Sequence, residues 1–239
     1  MRLLLIQARN TADIEAQEQR CFLSRCRLAP EQLVLRNVVR DPLKVSDLDS
    51  ADVMMIGGSG EYSAWKDYPW MGDLLNLVRE ADRRSYPTFG SCWGHQIIAR
   101  ALGGRVEYAP DLLEMGCLTI DLTDEGTQDE LFAHLPRSFK ANVGHHDRVT
   151  VLPEGAVELA TTASQGHQAF RIAGKPIYGT QFHSELDAEA EQERLLAYRP
   201  YYTEVETDKE FQAILDTLAP TPEVDGLLAQ FLKRFVRAA

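Results

Sequence analysis

The sequence predicts an α/β fold, a single domain with a central, mostly parallel sheet that helices cover on both faces. Two continuous apolar runs, at 3–6 and 53–56, have the pattern of strands buried on both sides, which is typical of parallel sheets. Between them the sequence predicts a polar helix over 11–25, with Thr11 as its N-cap, and a strand over 32–37. This alternation of strands and helices predicts parallel pairing.

The stretch 86–104 predicts a strand, a sharp turn and a helix with a cysteine at the turn. A short strand over 87–89 leads into Gly90-Ser-Cys92-Trp-Gly94, and the helix ends at Gly103-Gly104. Small residues at 90 and 94 let strand and helix approach closely. The helix N-terminus directs free N–H groups at the sulfur and stabilises its thiolate. The pattern therefore predicts a nucleophile elbow, and a buried structural cysteine is the alternative.

Composition excludes several classes of protein. The 239 residues, 44% hydrophobic and 26% charged, are ordinary for one globular domain. A net charge of −11 argues against nucleic-acid binding and against docking on an anionic membrane. No apolar run approaches the roughly 20 residues that span a bilayer. The four cysteines lack metal-ligand spacing, so we expect free thiols, no metal and a cytoplasmic location.

The second half of the chain is richer in predicted strands. They extend over 105–108, 116–122, 139–143, 156–161, 168–172 and 176–178, with a turn-rich stretch at 124–128. We expect them to add mixed or antiparallel strands to the sheet.

A glycine cluster, 57–60, follows the buried strand 53–56. Ligands bind at the carboxyl ends of parallel strands, so this loop should lie at the same edge as Cys92. Its backbone N–H groups could face a developing oxyanion. A flexible connection is the alternative.

Near the end of a strand over 175–185, His183 and Glu185 are two residues apart and so share a face. A carboxylate there can hold one imidazole nitrogen and leave the other facing a thiol, as a cysteine nucleophile requires. An exposed polar strand end is the alternative.

Two motifs, Gly90-Ser-Cys92-Trp-Gly94-His-Gln96 and Gly179-Thr-Gln-Phe-His183-Ser-Glu185, together resemble the class I glutamine amidotransferases, which include the glutaminase domain of GMP synthase. The resemblance covers roughly 3–185 and resumes at 227–236. It implies a flavodoxin-like architecture, with Cys92 as nucleophile, His183 as general base and acid, and Glu185 as the orienting carboxylate. It implies no metal or organic cofactor.

The resemblance also suggests residues around the substrate. The family's oxyanion hole maps to the backbone N–H groups of Gly58 and Trp93, and Gln96 matches a position that helps hold glutamine. Gly144-His145-His146-Asp147 resembles the family's Ser-His-Gly-Asp stretch, with Gly in place of Ser and His146 in place of Gly. We therefore expect His145 and His146 near the substrate, and a structural role for His145 is the alternative.

A segment rich in Glu and Tyr, 186–221, separates Glu185 from the last helix and is predicted to be a helical insertion within the 1–239 domain. It predicts helices over 188–197 and 203–218. It could cover the pocket or form a subunit interface, and a solvated excursion is the alternative.

Three functions remain open at this point. The first is a stand-alone amidase that hydrolyses glutamine or a γ-glutamyl compound through a γ-glutamyl thioester. The second is the glutaminase subunit of a two-chain amidotransferase, whose synthase partner would receive ammonia because no synthetase sequence follows here. The third is a non-catalytic regulatory or binding protein on the same scaffold. A homodimer is a further hypothesis.

Overall fold

A nine-stranded sheet forms the centre of the computed structural model, which describes residues 1–236. The strands of the chain are β1 (Leu3–Gln7), β2 (Leu33–Asn37), β3 (Val53–Ile56), β4 (Thr88–Ser91), β5 (Arg105–Tyr108), β6 (Glu114–Leu122), β7 (Ser138–His145), β8 (Asp147–Val151), β9 (Ala156–Thr161), β10 (Ala169–Ile172) and β11 (Ile177–Thr180). The helices are α1 (Ala12–Cys26), α2 (Met71–Arg83), α3 (Trp93–Ala101), α4 (Asp124–Gln128), α5 (Ala188–Tyr198), α6 (Asp208–Leu215) and α7 (Leu227–Phe235).

The strand order is β2-β1-β3-β4-β11-β10-β9-β6-β7. The strands from β2 to β11 pair in parallel, and the remaining pairs are antiparallel. The parallel frame and the antiparallel extension predicted for the second half are thus both confirmed. Outside the main sheet, β5 and β8 form a two-stranded antiparallel pair.

Helices cover both faces of the parallel strands, because successive side chains point to opposite sides. On one face, Leu3 and Leu5 of β1 pack in a core with Phe22 of α1 and Phe231 of α7. On the other, Leu4 and Ile6 belong to a core that contains side chains of α2 and α3. All the residues of β1 and β3 are buried, as their continuous apolar runs predict.

Local structure corrects several details of the prediction. Thr11 occupies the N-cap position of α1, but its side chain makes no capping hydrogen bond. The stretch 124–128 is a short helix rather than a turn, because the Thr123 hydroxyl accepts a hydrogen bond from the Gly126 N–H at 3.0 Å. Strand β8 and helix α2 were not predicted.

The 186–221 segment contains two helices, as predicted, but the second is shorter than 203–218. Helix α6 begins after Thr207 because Thr207 and Glu210 cap each other's backbone N–H groups. Across residues 1–236 no helix is both long and apolar enough to cross a membrane.

Candidate active site

Cys92 lies at a sharp turn between β4 and α3, with φ 50° and ψ −103°. Positive φ strains a residue other than glycine, and such strain is often found at functional sites. A Cβ at Gly90 would come within 2.5 Å of the Gly94 backbone, and a Cβ at Gly94 would collide with the carbonyl oxygen of Ile56. The two glycines therefore allow β3, β4 and α3 to meet closely, which places the thiol at the carboxyl edge of the sheet.

His183 and Glu185 follow β11, the parallel neighbour of β4. Nδ1 of His183 lies 2.8 Å from Oε1 of Glu185. The Ser91 hydroxyl, next to Cys92, donates to Oε2 of Glu185 at 2.6 Å. The His183 N–H donates to the Asn142 carbonyl oxygen at 3.0 Å, which fixes the backbone next to β7. The imidazole and its carboxylate are both buried and tightly held.

The charges around Glu185 keep it ionised despite its burial. Burial by itself opposes ionisation, but His183, Arg194 and the Ser91 hydroxyl together hold the pKa of Glu185 at about 2. Nη1 of Arg194 lies 3.6 Å from Oε1 of Glu185. Arg194 belongs to α5, so the 186–221 segment contributes to the electrostatics of the site.

The pKa of His183 is raised well above its ordinary value. Burial lowers it, but the charges of Glu191, Glu185 and Cys92 and a hydrogen bond with Cys92 outweigh burial. Among these groups the largest upward effect comes from Glu191 of α5. An imidazolium beside the thiol favours the ion pair that a cysteine nucleophile uses.

The sulfur of Cys92 is also contacted by Gln181, whose side-chain Nε2 donates to it at 3.6 Å. Nε2 of Gln96 donates to Oε1 of Gln181 at 3.0 Å and to the carbonyl oxygen of Asp147 at 2.8 Å. Gln96 thus lies in the site but reaches Cys92 through Gln181. Gln181 was not among the predicted site residues, although its position two residues before His183 on an extended segment puts it on the same face.

The two oxyanion N–H groups differ in their surroundings. Trp93 is the first residue of α3, where a backbone N–H has no partner within the helix. The N–H of Gly58 donates to Oε1 of Glu18 at 3.1 Å. Glu18 is fully buried and paired with Arg9 at 2.6 Å. Gly58 serves an oxyanion only if its N–H turns away from Glu18, so its role stays a prediction.

The two histidines after Gly144 lie in different settings. Nδ1 of His145 is 3.0 Å from the Asp147 carbonyl oxygen, and its Nε2 is 3.1 Å from Glu114. Both ring nitrogens are therefore engaged within the protein, which favours the structural alternative for His145. His146 is half-buried, lines the cavity and packs edge-on against Tyr108.

A cavity of about 170 Å³ opens beside the sulfur of Cys92. Trp93, Gln96 and His146 line one side of it, and Tyr202 of the 186–221 segment lies on the other. The cavity is large enough for several solvent-sized groups. It brings the predicted nucleophile together with the predicted substrate-binding residues.

The 186–221 segment packs onto the glycine loop rather than extending into solvent. Tyr198 of α5 accepts a hydrogen bond from Nη1 of Arg9 at 2.8 Å and donates to Glu61 at 3.0 Å. A Cβ at Gly60 would come within 2.5 Å of the Tyr198 ring. The solvated-excursion alternative is therefore wrong, and the segment covers the site.

Comparison with known proteins agrees with this geometry. A family model described as glutamine amidotransferase class-I matches residues 27–199. The chain belongs to the class I glutamine amidotransferase family. The resemblance found in the two motifs is confirmed, and with it the enzyme class.

Curated relatives match over part of their length. The glutamine-hydrolysing subunit of the GMP synthase of Sulfolobus acidocaldarius is 34% identical over 142 residues, 59% of this chain and 71% of the relative. Gamma-glutamyl peptidase 5 of Arabidopsis thaliana is 31% identical over 149 residues, 59% of each chain. For the GMP synthase of Thermosipho africanus the matched share of the relative is 26%. This chain thus spans well under two thirds of several relatives.

Solved structures confirm the predicted architecture. A glutamine amidotransferase from Thermotoga maritima superposes with a TM-score of 0.78 at 21% identity, over 100% of this chain and 99% of that one. A glutamine amidotransferase from Methylobacillus flagellatus gives a TM-score of 0.73 at 20% identity, over 100% of this chain and 96% of that one. At this identity the likeness shows the fold alone.

Proposed function

We propose that this chain hydrolyses the γ-amide of glutamine, or a γ-glutamyl bond, with a Cys92–His183–Glu185 triad. The observation that carries the proposal is the alignment of the triad, in which the elbow cysteine and an imidazole held by a buried carboxylate line one cavity. Family membership supports the same reaction. The names of the curated relatives, one a glutamine-hydrolysing synthase component and one a γ-glutamyl peptidase, supply the two substrate classes.

In the first half-reaction the thiolate of Cys92 attacks the γ-carbonyl carbon. The negative charge on the carbonyl oxygen is met by the N–H of Trp93 and, once it turns from Glu18, by that of Gly58. The imidazolium of His183 gives its Nε2 proton to the leaving nitrogen as the C–N bond breaks. A γ-glutamyl thioester remains on the sulfur.

In the second half-reaction His183 accepts a proton from water, whose oxygen attacks the thioester carbon. The C–S bond breaks, glutamate leaves, and the thiolate–imidazolium pair forms again. Glu185 keeps Nδ1 of His183 in one orientation throughout, and its low pKa of about 2 keeps it charged.

The cavity of about 170 Å³ holds the γ-glutamyl part of the donor in this proposal. Its walls include Lys66 and Glu61, which carry the opposite charges that an α-carboxylate and an α-ammonium group require. Gln96 and His146 contribute the polar contacts that the family resemblance assigns to this pocket.

A second candidate is a glutaminase subunit that passes ammonia to a synthase. It is favoured by the relatives whose names describe them as subunits of glutamine-hydrolysing GMP synthases. Such a chain by itself would turn over glutamine slowly and would respond to its partner. A homodimer remains a hypothesis without a structural observation behind it.

The test measures glutamate release from glutamine and from a γ-glutamyl dipeptide by the isolated chain and by its Cys92→Ala variant. Turnover of either donor that depends on Cys92 is the expected result. Silence with both, together with stimulation by a synthase chain, would favour the partner-dependent glutaminase. Silence with both and no labelling of Cys92 by a glutamine-mimicking electrophile would contradict both enzymes and leave the binding protein.

A further inference from the structure

A second, smaller cavity of about 20 Å³ lies on the other side of the sulfur, between His183 and α5. It shares Cys92 and Gly144 with the main cavity, but His183 and Gly58 line the small one and are absent from the walls of the main one. A donor whose γ-glutamyl part fills the main cavity therefore directs its leaving nitrogen into the small one. Here we call it the leaving-group cavity.

Glu191 of α5 forms part of the wall of the leaving-group cavity. Its side chain is 1% exposed, and its Oε2 has no hydrogen-bond partner within residues 1–236. That oxygen lies 4.0 Å from Nε2 of His183, the ring nitrogen opposite the one that Glu185 holds. Burying a carboxylate oxygen without a hydrogen bond costs stability, so its position needs an explanation that folding alone does not give.

Gly144 gives Glu191 its place. A Cβ at this position would lie 3.2 Å from Oε1 of Glu191, 3.1 Å from Cδ2 of Leu195 and 3.4 Å from the Tyr202 hydroxyl. These are close contacts with three side chains of the 186–221 segment. Glycine at 144, where the sequence departs from the family's serine, thus goes together with the docking of this segment over the site.

We propose that Glu191 is a positioning residue of a leaving-group site built for ammonia, so that this enzyme prefers the unsubstituted γ-amide of glutamine to γ-glutamyl peptides. The inference rests on the proposed function and deepens it by naming the substrate class. A cavity of about 20 Å³ has room for one ammonia or water molecule, whereas an amino acid as leaving group does not fit.

The chemistry assigns Glu191 a task in each half-reaction. When the C–N bond breaks, His183 gives its proton to the nitrogen, and the Glu191 carboxylate accepts a hydrogen bond from an N–H of the departing ammonia. The water that replaces ammonia gives one proton to His183 as its oxygen attacks, while its second O–H donates to Glu191. Glu191 changes no protonation state in either step and acts by orienting the small molecule.

Several charged or titratable groups face His183. They are Cys92 at the elbow, Glu185 after β11, and Glu191 and Arg194 of α5, with Glu18 of α1 at 3.8 Å from Arg194. Removal of the Glu191 charge takes away the largest upward contribution to the pKa of His183. A purely structural role for Glu191 would leave the pH dependence of the site unchanged, which makes pH a suitable measure.

The first experiment compares three donors that share the γ-glutamyl group: glutamine, γ-glutamyl methylamide and γ-glutamylglycine. We expect kcat/KM to fall about tenfold or more from glutamine to the methylamide, and further for the dipeptide. Leu195→Ala, which widens the cavity, should raise the dipeptide-to-glutamine ratio. Leu195→Val gives a smaller change if the alanine variant folds poorly, and exposed Leu196→Ala on the same helix is the control.

The second experiment measures the rate of iodoacetamide alkylation of Cys92 against pH, which needs no turnover. Glu191→Gln should move the profile by about one pH unit, in the direction of a less basic His183. In the turnover assay it should lower kcat for glutamine about tenfold or more and leave KM nearly unchanged. Exposed Glu189→Gln, two residues earlier on α5, should match the wild type in both assays.

The outcomes separate this inference from the proposed function. Equal use of glutamine and γ-glutamylglycine by the wild type would overturn the inference and keep the proposed function. A Glu191→Gln variant with unchanged kcat and an unchanged alkylation profile would overturn the positioning role. Absence of Cys92-dependent turnover of all three donors would overturn both the function and the leaving-group site.

Discussion

The elbow at Cys92 and the 186–221 segment meet at one site but are built differently. The elbow is a local structure, in which glycines at 90 and 94 and a positive φ at Cys92 fix the thiol within a few residues. The segment is held by long-range contacts, such as Tyr198 with Arg9 and Arg194 with Glu185. The comparison teaches that the reacting atoms depend on the parallel frame, whereas their charge and their access depend on the segment.

This division predicts different consequences of substitution. Changes in the frame should remove the reaction, because each group touches the reacting atoms or holds one that does. Changes in the segment should leave the fold of the frame intact and alter rate, selectivity or stability by smaller amounts.

The largest effect is expected for His183→Gln in the frame. Loss of the general acid and base should lower kcat for glutamine by about 10⁴-fold or more, because the members of a triad act as a unit. Glutamate release by the purified chain measures it, and His134→Gln, an exposed histidine, is the matched control. A variant that keeps a tenth of the wild-type rate would show that another group moves the proton.

The next effect is expected for Glu185→Gln. It should lower kcat about 10²- to 10⁴-fold, because His183 loses its orienting carboxylate. It should also destabilise the fold by about 3 kcal/mol near neutral pH, because a buried charge network loses one partner. Denaturant unfolding measures that loss, and Glu189→Gln serves as the control.

The pH dependence of that stability difference has a fixed sign. The pKa of Glu185 is about 2 in the fold against an ordinary 4.5, so its ionised form stabilises the protein fully above pH 4.5. The contribution is lost as the pH falls from 4.5 toward 2, so the difference between wild type and Glu185→Gln should shrink there. A difference that grows on acidification would contradict the depressed pKa.

The raised pKa of His183 works in the opposite direction. Its contribution to stability is fully present below the ordinary value of 6.5 and is lost as the pH rises through the raised value. The frame should therefore gain most from this pair of residues between about pH 4.5 and 6.5.

A smaller effect is expected where the segment meets the frame. Gly144→Ser should destabilise the protein by about 1–3 kcal/mol, because its Cβ presses on Leu195 and Glu191. Thermal unfolding measures this cost. Gly72→Ala, where a Cβ meets open space, is the matched control. An unchanged melting temperature for Gly144→Ser would show that the segment does not dock as described.

The smallest effect is expected for Tyr198→Phe, which removes a hydroxyl between Arg9 and Glu61. The loss should be about 1–3 kcal/mol at most, because it leaves one buried donor of Arg9 without its acceptor. Tyr201→Phe, whose side chain is 49% exposed, should change the free energy of unfolding by no more than about 0.5 kcal/mol. Equal effects of the two substitutions would argue against a docked α5.

Much of the frame was predictable because its signals are local. Apolar runs identify β1 and β3, glycine spacing identifies the elbow, and the i, i+2 relation of His183 and Glu185 identifies the base and its carboxylate. Helix α4 was missed because its glycine, Gly126, suggests a turn. The glycine is needed there since a Cβ would collide with the Leu159 carbonyl oxygen.

The covering of the site was not predictable to the same degree. Nothing in the order of residues places Glu191 beside His183 or Glu18 against the Gly58 N–H, since these contacts depend on how separate elements pack. The presence of helices in the 186–221 segment follows from its composition. Which of its faces is buried depends on where the glycine loop and Gly144 leave room.

The most direct test of the central claim is acid quenching of the chain during glutamine turnover, followed by mass spectrometry of the Cys92 peptide. The account predicts one γ-glutamyl group on Cys92, which accumulates further in Glu191→Gln if attack by water slows more than acylation. An adduct on a different residue, or steady glutamate release by Cys92→Ala, would contradict it.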